Sequence, residues 1–294
     1  MENASKLILG AITDEFSPDL TVAVAAMAEL GLTSAELRLV GSRNVVELSV
    51  REVREAKRLL SDHGIEIPAL AAPLLKCECP GTGEIQEGTG RDIFGSAYSY
   101  ADQRDLAKRT FEVANEAGAH IVRVFSFWRV PDPAGVFDRI AEELRALAEV
   151  AERSGVIIGL ENEQACNVGT SSDAAKMVAA VDHANLQVVW DPANSHVAGE
   201  PAFPEGYQSI PFSKLGHVHV KDCHVIGGQP LWCRLGDGEV EWKQIIGALA
   251  EQGFAGRIHL ETHWAGTNAG KLEASRVCAG VLRELVDSAN AEVI

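Results

Sequence analysis

Residues 156–194 read VIIGLENEQACNVGTSSDAAKMVAAVDHANLQVVWDPAN. An apolar run, Val156–Leu160, stops at Glu161-Asn162-Glu163. A helical stretch near Ser172–Val181 follows. A second apolar run, Leu186–Trp190, stops at Asp191-Pro192-Ala193-Asn194. Two short apolar runs joined by an amphipathic helix predict neighbouring parallel strands with the helix packed outside. Each run ends on carboxylates.

The same unit repeats in both directions. Upstream runs are Leu7–Ile12, Ser34–Val40, Ile67–Ala71 and His120–Ser126; downstream runs are His217–Lys221 and Arg257–Glu261. Helical stretches lie between most of them, several closing at a glycine (Gly31, Gly64, Gly118, Gly155, Gly253). A long Gly- and Cys-containing insertion spans Pro73 to about Ser99. Eight strand–helix units within 294 residues favour closure into a single-domain (β/α)₈ TIM barrel over residues 1–294. An open doubly wound sheet would carry a glycine-rich phosphate turn after its first strand. The chain has Thr13-Asp14-Glu15-Phe16 there.

Composition narrows the function. The formal net charge of -16 repels a polyanion, and no Lys/Arg run offsets it, so nucleic acid is not an expected partner. No stretch approaches a membrane span, and Leu7–Ile12 reads as a strand rather than a signal peptide. The six cysteines are too few for a disulfide framework in a chain this long. They read as free thiols in a reducing cytoplasm.

Barrel active sites lie at the C-terminal ends of the strands. Strand five ends at Glu161, strand six at Asp191, strand eight at Glu261, and strand seven carries His217 and His219 with the same parity. A single strand-end carboxylate is ordinarily a helix cap. Four successive strands bringing Glu161, Asp191, His219 and Glu261 to one rim call for a cation, because crowded carboxylates repel. Three carboxylates and one imidazole suit Mn²⁺ first, with Mg²⁺, Co²⁺ or Zn²⁺ as alternatives. Of the strand-seven pair, His219 is nearer the rim. Lys221 shares its parity and is a candidate substrate contact. Arg123 is another, because a central barrel strand rarely carries an unpaired arginine. Glu36 and Arg38 end strand two, either touching substrate or forming an internal salt bridge. Lys76 opens the insertion. The Gly236-Asp237-Gly238 segment reads as a tight turn, and Cys223 and Cys233 are not expected ligands.

Leu160-Glu161-Asn162-Glu163, Trp190-Asp191-Pro192-Ala193-Asn194, His217-Val218-His219-Val220-Lys221-Asp222 and Gly236-Asp237-Gly238-Glu239-Val240-Glu241-Trp242 together resemble the sugar phosphate isomerase/epimerase family, the xylose-isomerase-like barrels. The resemblance covers nearly the whole chain. It implies one divalent metal held by Glu161, Asp191, His219 and Glu261. Glu161 and Glu261 would also be the catalytic acid/base pair, moving a proton through a metal-held enediolate of a small sugar or polyol. Ketose 3-epimerases of this family carry a His three residues after the strand-six Asp. Here that position is Asn194, and a His appears at His196. Their Arg shortly after the strand-seven His is absent, and the nearest downstream is Arg234. Asn194, His196 and Arg234 therefore join the candidate substrate contacts. The expected activity is a metal-dependent isomerase or epimerase. The alternatives are a lyase or dehydratase on a cyclitol or keto-glycoside using the same site, and a non-catalytic sugar-binding barrel. Analogy with such barrels allows a homo-oligomer.

Overall fold

The computed structural model describes residues 7–82, 84–87, 97–266 and 270–292. Part of the 73–99 insertion lies outside them. Eight strands close into a barrel: β1 (Ile8–Ile12), β2 (Ser34–Leu37), β3 (Glu66–Leu74), β4 (Ile121–Val124), β5 (Ile157–Glu161), β6 (Leu186–Trp190), β7 (Leu215–Val220) and β8 (Arg257–Leu260). Each pairs in parallel with the next, and β8 pairs with β1. Closure leaves no sheet edge unpaired. The (β/α)₈ barrel expected from the alternation is the fold.

The flanking helices are α1 (Leu20–Glu29), α2 (Val50–Asp62), α3 (Gln103–Ala117), α4 (Phe137–Arg153), α5 (Ser171–Val181), α6 (Pro192–Val197), α7 (Trp242–Glu251) and α8 (Lys271–Glu292). Local chemistry sets their ends. Ser49 and Glu52 form a reciprocal capping box at the start of α2. Gly118 ends α3 with φ 83°, a conformation open to glycine at little cost. Asp182 takes the same left-handed role after α5. Among the described residues, no helix is long and apolar enough to cross a membrane.

The main apolar core lies between strands and helices, where Met27, Leu60, Phe111, Leu144, Met177, Trp190 and Leu249 are buried. Trp190 faces outward as its parity requires, donating from Nε1 to Ser171 Oγ at 2.8 Å. Inside the barrel, Ala69, Ile121 and Val189 with Ile157 form a small apolar plug. Buried polar groups fill the rest. Gly10 makes room for them: a β-carbon there would lie 2.6 Å from the His259 ring.

Several strand boundaries and two hairpins differ from the sequence reading. β2 stops at Leu37 because Arg38 turns inward and Leu39 N–H donates to Asp14 Oδ1. Leu39–Val40 instead pairs with Arg43–Asn44. β3 continues three residues further, to Leu74, and β4 is shorter at both ends. Asp222–Ile226 and Gln229–Cys233 form an antiparallel hairpin after β7. Gly227 and Gly228, both at positive φ, make its turn.

Candidate metal centre

β5 and β7, with the residues that follow β6 and β8, bring Glu161, Asp191, His219 and Glu261 together. One ligand atom from each lies within 4.8 Å of every other, and all four residues are buried. Glu161 Oε1 is 3.0 Å from His219 Nδ1, and Glu261 Oε2 is 3.9 Å from the same nitrogen. Glu161 Oε2 and Asp191 Oδ2 are buried, and each faces a cation, Arg123 and Lys221 respectively. Buried carboxylate oxygens converging with an imidazole nitrogen fit a divalent cation.

Asp191 meets both readings that its position allows. Its Oδ1 accepts the Asn194 N–H at 2.9 Å and caps α6. Its Oδ2 faces the cluster, 2.7 Å from Lys221 Nζ. Asn162, not singled out from sequence, locks the residue: Asp191 N donates to Asn162 Oδ1, and Asn162 Nδ2 donates to Asp191 O, both at 2.8 Å.

Each inward carboxylate has a cation beside it. Lys221 Nζ donates to Glu261 Oε2 at 2.7 Å, and Arg123 Nη1 lies 3.3 Å from Glu161 Oε2. Arg38 donates to Glu261 Oε1 at 2.9 Å, and also to Asp14 and Glu15. The internal-salt-bridge reading thus describes Arg38. The strand-one stop at Asp14-Glu15 carried the same acidic signature as the later strands, and it went unassigned.

Glu36 stands behind His219. Its Oε2 is 2.9 Å from His219 Nε2, 3.1 Å from His217 Nε2 and 3.3 Å from His259 Nδ1. It joins the site through His219, and His217 is a buried interior residue.

These contacts decide the charges. Burial alone would raise Glu36, but His219 and His217 hold it well below the usual carboxylate range. Burial would lower His219, but Glu36 and Glu161 hold it well above an ordinary histidine. Burial opposes charge on Glu261 too; Lys221 and His263 keep its pKa well down. Asp191 is pushed up to about 6, chiefly by burial, with Glu261 and Glu161 adding to the effect and Lys221 opposing it.

The remaining candidates spread outward. Asn194 is buried and donates from Nδ2 to Asn162 O, leaving Oδ1 without a partner. His196 pairs with Glu239 at 2.8 Å and Arg234 with Asp237 at 2.9 Å, both toward the surface. Lys76 is 4.3 Å from the Phe125 ring centroid, and Arg123 packs on the same ring at 4.6 Å. Trp232, on the hairpin that the sequence reading missed, is 5.3 Å from Lys221 Nζ and packs edge-on against His263. The Gly236–Gly238 turn is structural: Asp222 accepts the N–H groups of Cys223, Gly236, Gly238 and Val240. All six cysteines are free.

Residues 24–284 match the family model described as xylose isomerase-like TIM barrel. The chain belongs to that family. D-psicose 3-epimerase of Ruminiclostridium cellulolyticum is 28% identical over 168 residues, 53% of either chain, so the chain spans about half the length of this curated relative. Among solved structures, a xylose isomerase-like TIM barrel/4-hydroxyphenylpyruvate dioxygenase fusion protein superposes with a TM-score of 0.72 over 98% of this chain and 44% of that one, at 21% identity. The IOLI protein, solved with a bound zinc atom, superposes at 0.70 over 98% of both chains, at 18% identity. At such identities these structures establish the fold. The xylose isomerase-like barrel is thus shared with sugar epimerases at modest identity.

Proposed function

We propose that this protein is a divalent-metal-dependent isomerase or epimerase of a small polyhydroxylated carbonyl compound. The carrying observation is the four-residue group itself: Glu161, Asp191, His219 and Glu261 converge within 4.8 Å at the strand ends. The similarity to D-psicose 3-epimerase supports the same reading. The donor set suits Mn²⁺ best, with Mg²⁺, Co²⁺ or Zn²⁺ as alternatives. The free thiols suit a reducing compartment such as the cytoplasm.

When bound, the ion would polarise the substrate carbonyl and stabilise the negative charge that builds on its oxygen. Glu161 and Glu261 supply the proton chemistry. One carboxylate takes the proton from the carbon beside the carbonyl, and the other returns a proton to the opposite face. A base of this kind works best when its partners are fixed before substrate arrives. Arg123 holds Glu161, and Arg38 holds Glu261. Arg123, Lys221 and Asn194, buried around the four-residue group, are the substrate contacts of this reading.

Metal stoichiometry by elemental mass spectrometry on wild type and Asp191→Ala, followed by incubation with ketoses in D₂O, tests the reading. About one metal per wild-type chain, lost in the variant, with deuterium entering the carbon beside the carbonyl, is the expected result. Deuterium entry with loss of water or aglycone moves the activity to a lyase. A wild type that stays metal-free in excess Mn²⁺ overturns the proposal.

A further inference from the structure

Lys221 contacts two of the four residues of the candidate metal site. Its ammonium is 2.7 Å from Asp191 Oδ2 and 2.7 Å from Glu261 Oε2, and the side chain is 2% exposed. Both carboxylates have their other oxygen committed. Asp191 Oδ1 caps α6 through the Asn194 N–H, and Glu261 Oε1 accepts from Arg38. A cation approaching these residues therefore has Asp191 Oδ2 and Glu261 Oε2 to use, and these are the two oxygens that Lys221 already contacts.

We propose that Lys221 is a built-in counter-cation of this site, which a divalent ion must displace. The inference rests on the metal-site reading above. A metal–oxygen bond is about 2.1 Å. Added to the 2.7 Å ammonium contact, this puts the two cations at most about 4.8 Å apart when they share an oxygen. A divalent ion and an ammonium that close repel strongly in a buried, weakly screened site. Without either, the carboxylates of Glu161, Asp191 and Glu261 would repel one another. Lys221 satisfies that need in the metal-free protein, and the metal satisfies it in the loaded one.

The surroundings leave the exchange to the Lys221 side chain. The Lys221 backbone is held, because its carbonyl accepts from Trp242 Nε1 at 3.0 Å and the next residue, Asp222, is tied by four backbone N–H groups. Motion is thereby confined to the four-carbon stem. The Trp232 ring, half-buried on the hairpin, lies 5.3 Å from the ammonium and offers a face for it. Loading the site moves Lys221 toward the mouth, where its ammonium can donate to a substrate oxygen. Metal binding thus comes before full substrate recognition.

Calorimetric Mn²⁺ titration of chelator-stripped wild type and Lys221→Met decides the matter. The variant is expected to bind Mn²⁺ at least tenfold more tightly. Stripped of metal, it should melt below stripped wild type, and the gap should close on loading. Unchanged or weaker Mn²⁺ binding overturns the proposal, because Lys221 would then be supporting the ligands in the loaded state. Absence of Mn²⁺ binding in both proteins overturns the metal-site reading together with it. If the variant does not fold, the wild type carries the test: N-hydroxysuccinimide acetate labelling of Lys221, mapped by peptide mass spectrometry, should rise several-fold on adding Mn²⁺. Labelling that stays level or falls refutes the displacement.

Discussion

Glu36 Oε2 lies 2.9 Å from His219 Nε2, on the ring edge opposite the one that faces Glu161. A proton held on Nε2 by Glu36 leaves the Nδ1 lone pair for a metal. Second-layer carboxylates of this kind typically change metal affinity by about 10–100-fold. Glu36→Gln keeps the side-chain shape but loses the charge. It is expected to weaken Mn²⁺ binding by about that factor, read by calorimetry. Unchanged affinity would leave Glu36 with only a packing role.

The two glutamates make a sharper prediction. Glu161→Gln and Glu261→Gln should each lower proton exchange at the carbon beside the carbonyl by about 10²-fold or more, as expected when a positioned acid or base is lost. Each substitution also takes a charged partner from two cations, Arg123 and His219 for Glu161 and Arg38 and Lys221 for Glu261, so both variants should melt below wild type. Exchange rates in D₂O and melting curves separate the two effects. Persistence of exchange in either variant would remove that residue from the acid/base pair.

Arg38 is 1% exposed and ion-pairs with Asp14, Glu15 and Glu261. Removing one partner from a buried ionic group typically costs about 3–5 kcal/mol, because the other charges are left uncompensated. Arg38→Met should destabilise the protein by about that much in urea unfolding. Arg38→Lys should not restore it, because an ammonium lacks the planar fork that reaches three carboxylates. Near-native stability in Arg38→Met would show that the acidic group tolerates the loss.

Metal uptake should depend on pH with a defined sign. His219 is held well above its ordinary pKa of 6.5, so at neutral pH it carries a proton that a ligand to Nδ1 must displace. Asp191 titrates near 6, and below that pH it too must lose a proton. Affinity therefore falls as pH falls, and more steeply below about 6. Proton release measured in buffers of different ionisation enthalpy should be about one per metal at pH 7.5, and larger at pH 5.5. In the metal-free protein the stability linkage of His219 runs the other way. Its contribution is full below pH 6.5 and is lost as pH rises through the raised folded value. A pH-independent Mn²⁺ affinity between 5 and 8 would rule out both assignments.

Sequence alone was enough to read the barrel and to single out Glu161, Asp191, His219 and Glu261 as an inward group. The apolar run, acidic stop and helix of the Val156–Trp190 unit recur along the chain, and strand parity sends His219, Asp191 and the two glutamates to the same rim. These are local signals, carried within a few residues of each other. Tertiary structure decided which partner each group has. Arg38 reaches Glu261 across 223 positions of chain, and Glu36 reaches His219 across 183. No spacing encodes such pairs, because barrel closure brings β1 and β2 round toward β8 and β7 only after the whole sheet has formed. The hairpin that carries Trp232 was missed because its strands, Asp222–Ile226 and Gln229–Cys233, pair with each other outside the barrel and interrupt the strand–helix alternation. Residue identities and parity placed the carboxylates. The burial and neighbouring charges that set their protonation came only with the closed barrel, because desolvation is a property of the packed interior.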